Sequence, residues 1–140
     1  MCFQDKRFKL PAARIIKLMK SLVADIRAEG SVTLIFINEW QMRKLNQRFL
    51  GKRKTTDVLA FNLANKRLLR FIEGEIYVNL QAARRQASEY MVSYHEEATR
   101  LCIHGLLHLL GYKDDSPAKH KKMWLVQEHY LKGKFDGTKR

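Results

Sequence analysis

Two histidines and two neighbouring aspartates in the last third of this 140-residue chain offer the most specific chemistry in its sequence. His104 and His108 are four residues apart. On a helix that spacing brings both imidazoles to one face, about one turn apart, so two nitrogens can converge on one cation. Gly111 then turns the chain, and Asp114 or Asp115 arrives just beyond the helix end. The pattern His-x3-His-x5-Asp supplies two neutral nitrogens, one anionic oxygen and an open fourth position. Three protein ligands plus an exchangeable position is the arrangement of a catalytic zinc site, whereas structural sites close all four positions. Zincin peptidases of the HExxH type place their general-base glutamate directly after the first histidine. Gly105 stands there, which argues against a peptidase.

These residues need a rigid element beneath them. Tyr94 to Leu110 reads as a helix apolar on most sides, hence centrally placed, with Gly111 as its C′ residue. Ala12 to Glu29 carries apolar residues at helical spacing, with Gly30 as the expected stop. Ser31 to Ile37 is short, β-branched and almost wholly apolar, the pattern of a buried strand. Asn38 and Gln41 form a capping box for a helix reaching about Arg48. A basic loop, Gly51 to Thr56, precedes strands expected over Val58 to Leu63 and Ile72 to Leu80. Asn79 is placed to cap a further helix, and Ser116-Pro117 starts a basic last one. From Gly133 to Arg140 the chain is polar and expected to fray. The order of elements predicts an α+β fold with a small mixed sheet, in a single domain over residues 1–140.

Twenty-seven Lys and Arg against 14 Asp and Glu leave a formal charge of +13, beyond the 2–8 or so that solubility alone requires of a small domain. The excess points to a polyanion, with nucleic acid ahead of a membrane surface. No stretch approaches the roughly 18 uncharged apolar residues of a membrane span. The opening residues lack an apolar signal segment, and two cysteines make no disulfide framework, so a cytoplasmic protein is expected. Lys52-Arg53-Lys54, Lys66-Arg67 with Arg70, Arg84-Arg85, and Lys119 with Lys121-Lys122 are the basic clusters that could follow phosphates. Trp40 and Trp124 could stack on bases, but their helical spacing favours the core. Cys102, about 200° around the helix from His104, should face away from the metal as a buried small hydrophobe. His95 and His129 read as surface residues, His120 as a weak alternative ligand, and Asp57 and Glu75 as supporting or structural acids.

The run His104-Gly105-Leu106-Leu107-His108-Leu109-Leu110-Gly111-Tyr112 resembles the signature of the YbeY family of bacterial metal-dependent endoribonucleases. Leu45-Asn46, Gly51-Lys52, Thr56-Asp57-Val58-Leu59-Ala60-Phe61 and Gly74-Glu75-Ile76 resemble further family segments. The resemblance spans roughly Ser31 to Glu128. It implies a zincin-like fold, one zinc ion, cleavage of single-stranded RNA, and a role in 16S rRNA 3′-end maturation and ribosome quality control. Its implied partners are rRNA and the ribosome or its proteins, with no DNA and no membrane. Two departures stand out. Asp114 occupies the position of the family's third histidine, so the ligand set becomes His104, His108 and Asp114, with Asp115 one residue away. An anionic oxygen lowers the charge of the zinc unit, acidifies its water less than three histidines would, and makes Mn or Fe more plausible occupants. Leu50 stands where family members commonly carry an arginine, leaving Arg48 or Arg53 to supply the cation. Arg48, Lys52, Arg53 and Lys54 are therefore the expected RNA contacts. The rival reading is a non-catalytic ribosome- or RNA-binding module with a structural metal site.

Overall fold

The computed structural model describes residues 2–3, 10, 12–64 and 71–132. They form β1 (Cys2–Phe3), α1 (Ala12–Ile26), β2 (Glu29–Ile37), α2 (Glu39–Leu50), β3 (Val58–Asn62), β4 (Phe71–Asn79), α3 (Leu80–Tyr90), α4 (Tyr94–Leu109) and α5 (Pro117–Leu131). The strands make one mixed sheet in the order β1-β2-β4-β3. β1 runs parallel to β2 and β2 parallel to β4, while β3 pairs antiparallel on the far edge. The fold is α+β, as the element pattern predicts. The tail expected to fray, 133–140, and the cluster Lys66-Arg67 with Arg70 lie outside the described residues.

β2 alternates its apolar residues between two cores. Leu34 and Phe36 join the main core on one face, while Ile35 and Ile37 pack with Met42 of α2 on the other. Burial on both faces explains the near-continuous apolar run. The main core gathers Ile15 and Leu22 of α1, Ile76 and Val78 of β4, and Met123 and Leu131 of α5 around α4. α4 contributes Leu101, Cys102, Ile103, Leu106 and Leu107 to it, all at most 5% exposed. Fully burying one such large side chain contributes about 1.5–3 kcal/mol. The histidine-bearing helix is thus anchored by the largest block of apolar burial among the described residues.

Two glycines let α4 approach the sheet. A Cβ on Gly105 would meet Ile76 Cγ2 at 2.6 Å, and one on Gly74 would meet Leu109 Cδ1 at 2.8 Å. Gly105 is therefore a packing residue turned to the sheet. Gly30 does not stop α1; it lies within β2 at φ +125°, where a Cβ would collide with the Ile72 carbonyl. The stop is Arg27 in the left-handed region (φ 59°), after which Ala28 N donates to Val23 O at 3.0 Å. Local backbone hydrogen bonding after α1 takes the role assigned to Gly30.

Candidate metal centre

α4 begins where Ser93 Oγ accepts the Glu96 amide at 3.0 Å and ends in a reversal at Gly111 (φ 99°). There Tyr112 N donates to Leu107 O at 3.0 Å, the long-span bond of a Schellman turn. The reversal folds the Tyr112 carbonyl back over the helix end, where it accepts from His108 Nδ1 at 3.1 Å. It also delivers Asp114. Its Oδ2 lies 3.8 Å from His104 Nε2 and 3.7 Å from His108 Nε2, and the two Nε2 atoms are 3.1 Å apart.

His104 is oriented from across the fold. Its Nδ1 donates at 2.8 Å to Oε1 of Gln127, a residue of α5 that is 5% exposed. Gln127 Nε2 donates at 3.1 Å to Glu128 Oε2, which fixes which way the amide points. Glu128 is in turn gripped by Arg100, Nε to Oε2 and Nη2 to Oε1, both at 2.9 Å. Arg100 also reaches Glu97 at 2.8 Å and Glu96 at 2.9 Å. Burial would lower the Arg100 guanidinium, but the bonds from Glu128, Glu96 and Glu97 hold it above its ordinary value. Burial would likewise raise Glu128, yet hydrogen bonds from Arg100 and Gln127 outweigh it and hold the carboxyl below its usual range. For Glu97, 2% exposed, burial wins and raises the carboxyl despite Arg100.

Both Nδ1 atoms face oxygen acceptors, so each carries the proton and each Nε2 presents a lone pair. Burial lowers the His104 pKa, ahead of the opposing hydrogen bond to Gln127, and favours that neutral form. Two lone pairs and a carboxylate oxygen within 3.8 Å of one another are all acceptors, and a cation is what satisfies them together. A tetrahedral ion with ligands at about 2.1 Å sets them about 3.4 Å apart, between the 3.1 and 3.8 Å found. The triangle of sides 3.1, 3.7 and 3.8 Å has a circumradius of about 2.1 Å (product of the sides over four times the area), so one ion fits all three atoms. Among the described residues no fourth His, Cys, Asp or Glu joins this group.

The structure brings together His104, His108 and Asp114 and leaves out the two alternatives. Asp115 turns aside to Lys119 Nζ at 3.3 Å, and His120 lies exposed on α5. Cys102 is fully buried away from the site, and burial pushes its thiol up. Arg48, Lys52, Arg53 and Lys54 are exposed at the end of α2 and in the following loop, not among the donors. That loop is held by Asn46, whose Nδ2 donates to Lys54 O at 2.5 Å, and by Asn79, whose Nδ2 donates to Thr56 O at 3.1 Å. Its last residue, Asp57, accepts from Gln86 Nε2 at 3.1 Å and lines a cavity that His104 also lines. Glu75 accepts from Tyr77 Oη at 3.0 Å, a strand-face contact. His129 is exposed as expected, whereas His95 is half-buried, because it starts a helix packed into the core. Trp40 and Trp124 are 63% and 49% exposed, which overturns their assignment to the core. Trp40 lies beneath Lys44 Nζ, 4.3 Å from its ring, and Trp124 borders the cavity beside His104. Sequence reasoning missed Gln127, Glu128 and Arg100, which act on His104 from 23 or more positions away or through a relay that no local spacing signals.

Residues 1–134 match the family model described as Endoribonuclease YbeY. A Salinibacter ruber protein named Endoribonuclease YbeY is 37% identical over 116 residues, covering 76% of this chain and 74% of the relative. A Flavobacterium psychrophilum protein of the same name is 32% identical over 111 residues, covering 79% and 77%. The solution structure of a Thermotoga maritima protein superposes with a TM-score of 0.66 at 28% identity, covering 89% of this chain and 81% of that one. With a family model spanning nearly its whole length and relatives above 30% identity across most of it, the chain belongs to the YbeY endoribonuclease family.

Proposed function

We propose that this protein is a metal-dependent endoribonuclease that cuts single-stranded RNA in ribosomal RNA processing. In the finer reading it acts in the cytoplasm, at the 3′ end of 16S rRNA and in ribosome quality control, meeting the ribosome or its proteins. The observation that carries the proposal is the convergence of His104 Nε2, His108 Nε2 and Asp114 Oδ2 with both imidazoles pinned at Nδ1. These three residues would hold one zinc ion, with Mn or Fe admitted by the aspartate oxygen. Such an ion supplies Lewis acidity, polarising a phosphoryl oxygen and lowering the pKa of water. The chain's own contribution is placement. Gln127 and the Tyr112 carbonyl keep the rings from turning, and Asp114 adds the negative charge that moderates the site.

Arg48, Lys52, Arg53 and Lys54 would hold the RNA backbone, giving binding that weakens steeply with salt. A structural-metal module is disfavoured by the three-donor set with an open position and by a family whose relatives are named endoribonucleases. Elemental analysis together with cleavage of a single-stranded RNA by wild type and His108→Ala tests the proposal. Wild type should carry metal and cut, and His108→Ala should lose both. Undiminished cleavage by His108→Ala would overturn it.

A further inference from the structure

The cavity beside His104 is not needed to hold an ion, and its lining differs from the rest of this basic chain. It encloses about 430 Å³ between α3, α4 and α5, within the range of about 300–1,000 Å³ usual for small-ligand sites. Two large aromatic residues line it while keeping much of their surface exposed, Tyr90 at 61% and Trp124 at 49%. Its charged lining is Asp57, Glu97 and Glu128 against the single guanidinium of Arg100. Because Arg100 holds both glutamates, Asp57 is the carboxylate left to face a ligand. In a protein of charge +13, this pocket is locally negative.

That combination selects a ligand chemistry. Carboxylates repel phosphodiesters, so the RNA backbone is not the occupant. They accept hydrogen bonds from amino groups, and a carboxylate has about four acceptor positions. Asp57 spends one of them on Gln86 Nε2, and Gln86 lines the same cavity. Aromatic faces at the mouth offer stacking to any flat ring. Adenine, cytosine and guanine combine a flat ring with an exocyclic amine; uracil has none.

We infer that the cavity between α3, α4 and α5 takes one unpaired, amino-bearing nucleobase of the RNA, stacked on Trp124 at a mouth that Tyr90 also lines, with its amine towards Asp57 and Gln86. The inference rests on the reading of the chain as an RNA-cleaving enzyme and assigns that enzyme a base preference beside the metal. The basic outer surface carries phosphates and the acidic cavity carries a base, so the two kinds of charge sort the two parts of one nucleotide.

The test uses the full chain carrying Trp40→Phe, which leaves Trp124 as its one tryptophan. Cytidine, adenosine, guanosine and uridine are titrated separately while Trp124 fluorescence is read. Saturable quenching by the three amino-bearing nucleosides, with uridine at least five-fold weaker, is expected. Tyr90→Ala and Asp57→Asn should each weaken cytidine. On single-stranded RNA containing cytidine, Trp124→Leu should raise KM by about five- to 150-fold, the worth of one stacked base, with metal content unchanged and with Trp124→Phe restoring most of the loss. Equal quenching by all four nucleosides, quenching by methylguanidinium alone (a basic protein side chain as occupant), or an unchanged KM in Trp124→Leu would overturn the inference. If the nucleosides bind as expected but no RNA is cut, the pocket stands and the enzymatic reading fails. Cleavage without nucleoside binding has the opposite meaning.

Discussion

Gln127→Leu should loosen the metal without unfolding the protein. The wild-type amide accepts the His104 Nδ1 proton at 2.8 Å in a position 5% exposed, so leucine leaves that N–H facing a nearly dry pocket. An unsatisfied buried donor costs about 1–3 kcal/mol. The ring escapes the cost by turning, which misdirects Nε2, or by moving its proton to Nε2, which consumes the lone pair. Either way the ion loses one good donor. Removing such an outer partner typically weakens metal binding about 10–100-fold, or about 1.4–2.7 kcal/mol, in agreement with the cost of the orphaned donor. Glu128 keeps its two bonds from Arg100, so the supporting ion pairs survive. The assay is zinc titration against a chromophoric chelator at pH 7.5, with circular dichroism as the check on folding. Gln127→Glu, which keeps an acceptor at the same place, should retain tight binding and lose some stability because its charge sits beside Glu128. A Gln127→Leu protein that folds and binds zinc with wild-type affinity would refute the reasoning.

Other consequences are equally accessible. Asp114→Ala should lower metal affinity on the order of 100-fold or more, while Asp115→Ala, which loses only an exposed contact with Lys119, should bind as wild type in the same competition assay. Gly105→Ala would drive a methyl into Ile76 and Val58, costing about 1–3 kcal/mol by thermal melting, and several degrees of Tm. Arg100→Met should cost about 3–5 kcal/mol near neutral pH, because Glu97 and Glu128 lose their cation in a largely buried place. The sign with pH follows from Glu128: its folded pKa is held below the ordinary 4.5, so its stabilisation is present above that value and lost as pH falls through the folded pKa. Without Arg100 burial raises the carboxyls, so the variant recovers stability as pH falls towards the ordinary 4.5 while wild type loses its share below it. Urea melts of the two proteins should therefore converge below about pH 4.5.

What the sequence made legible is what acts over a few residues. The Asn38–Gln41 capping box is present in both directions, at 2.8 and 3.0 Å. Asn79 and Ser116 cap the helices they precede. The four-residue spacing of the histidines brings their Nε2 atoms together, and Gly111 turns the chain where expected. What escaped depends on neighbours distant in sequence. Gly30 reads as a helix stop until Ile72 is seen across from it. α5 spreads Met123, Trp124, Leu125 and Val126 around its circumference, so no single stripe declares which side meets the core. Met123 is buried there and Trp124 is left at the cavity mouth. β1 is two residues long and is recognised only by its parallel pairing with Ile35 and Phe36. The excess charge predicted a polyanion but not that the space beside His104 would be acidic, since that depends on three elements meeting.

The most direct test of the central claim is a single comparison on chelator-treated protein: folding by circular dichroism beside cleavage of single-stranded RNA, before and after zinc or manganese is restored. Because α4 is anchored by Leu101, Ile103, Leu106 and Leu107 in the main core, the stripped protein should keep its helical signal and its cooperative melt. Cleavage should vanish and return with the ion. A stripped protein that melts outright would mark the metal as structural, and one that still cuts RNA would contradict the account at His104, His108 and Asp114.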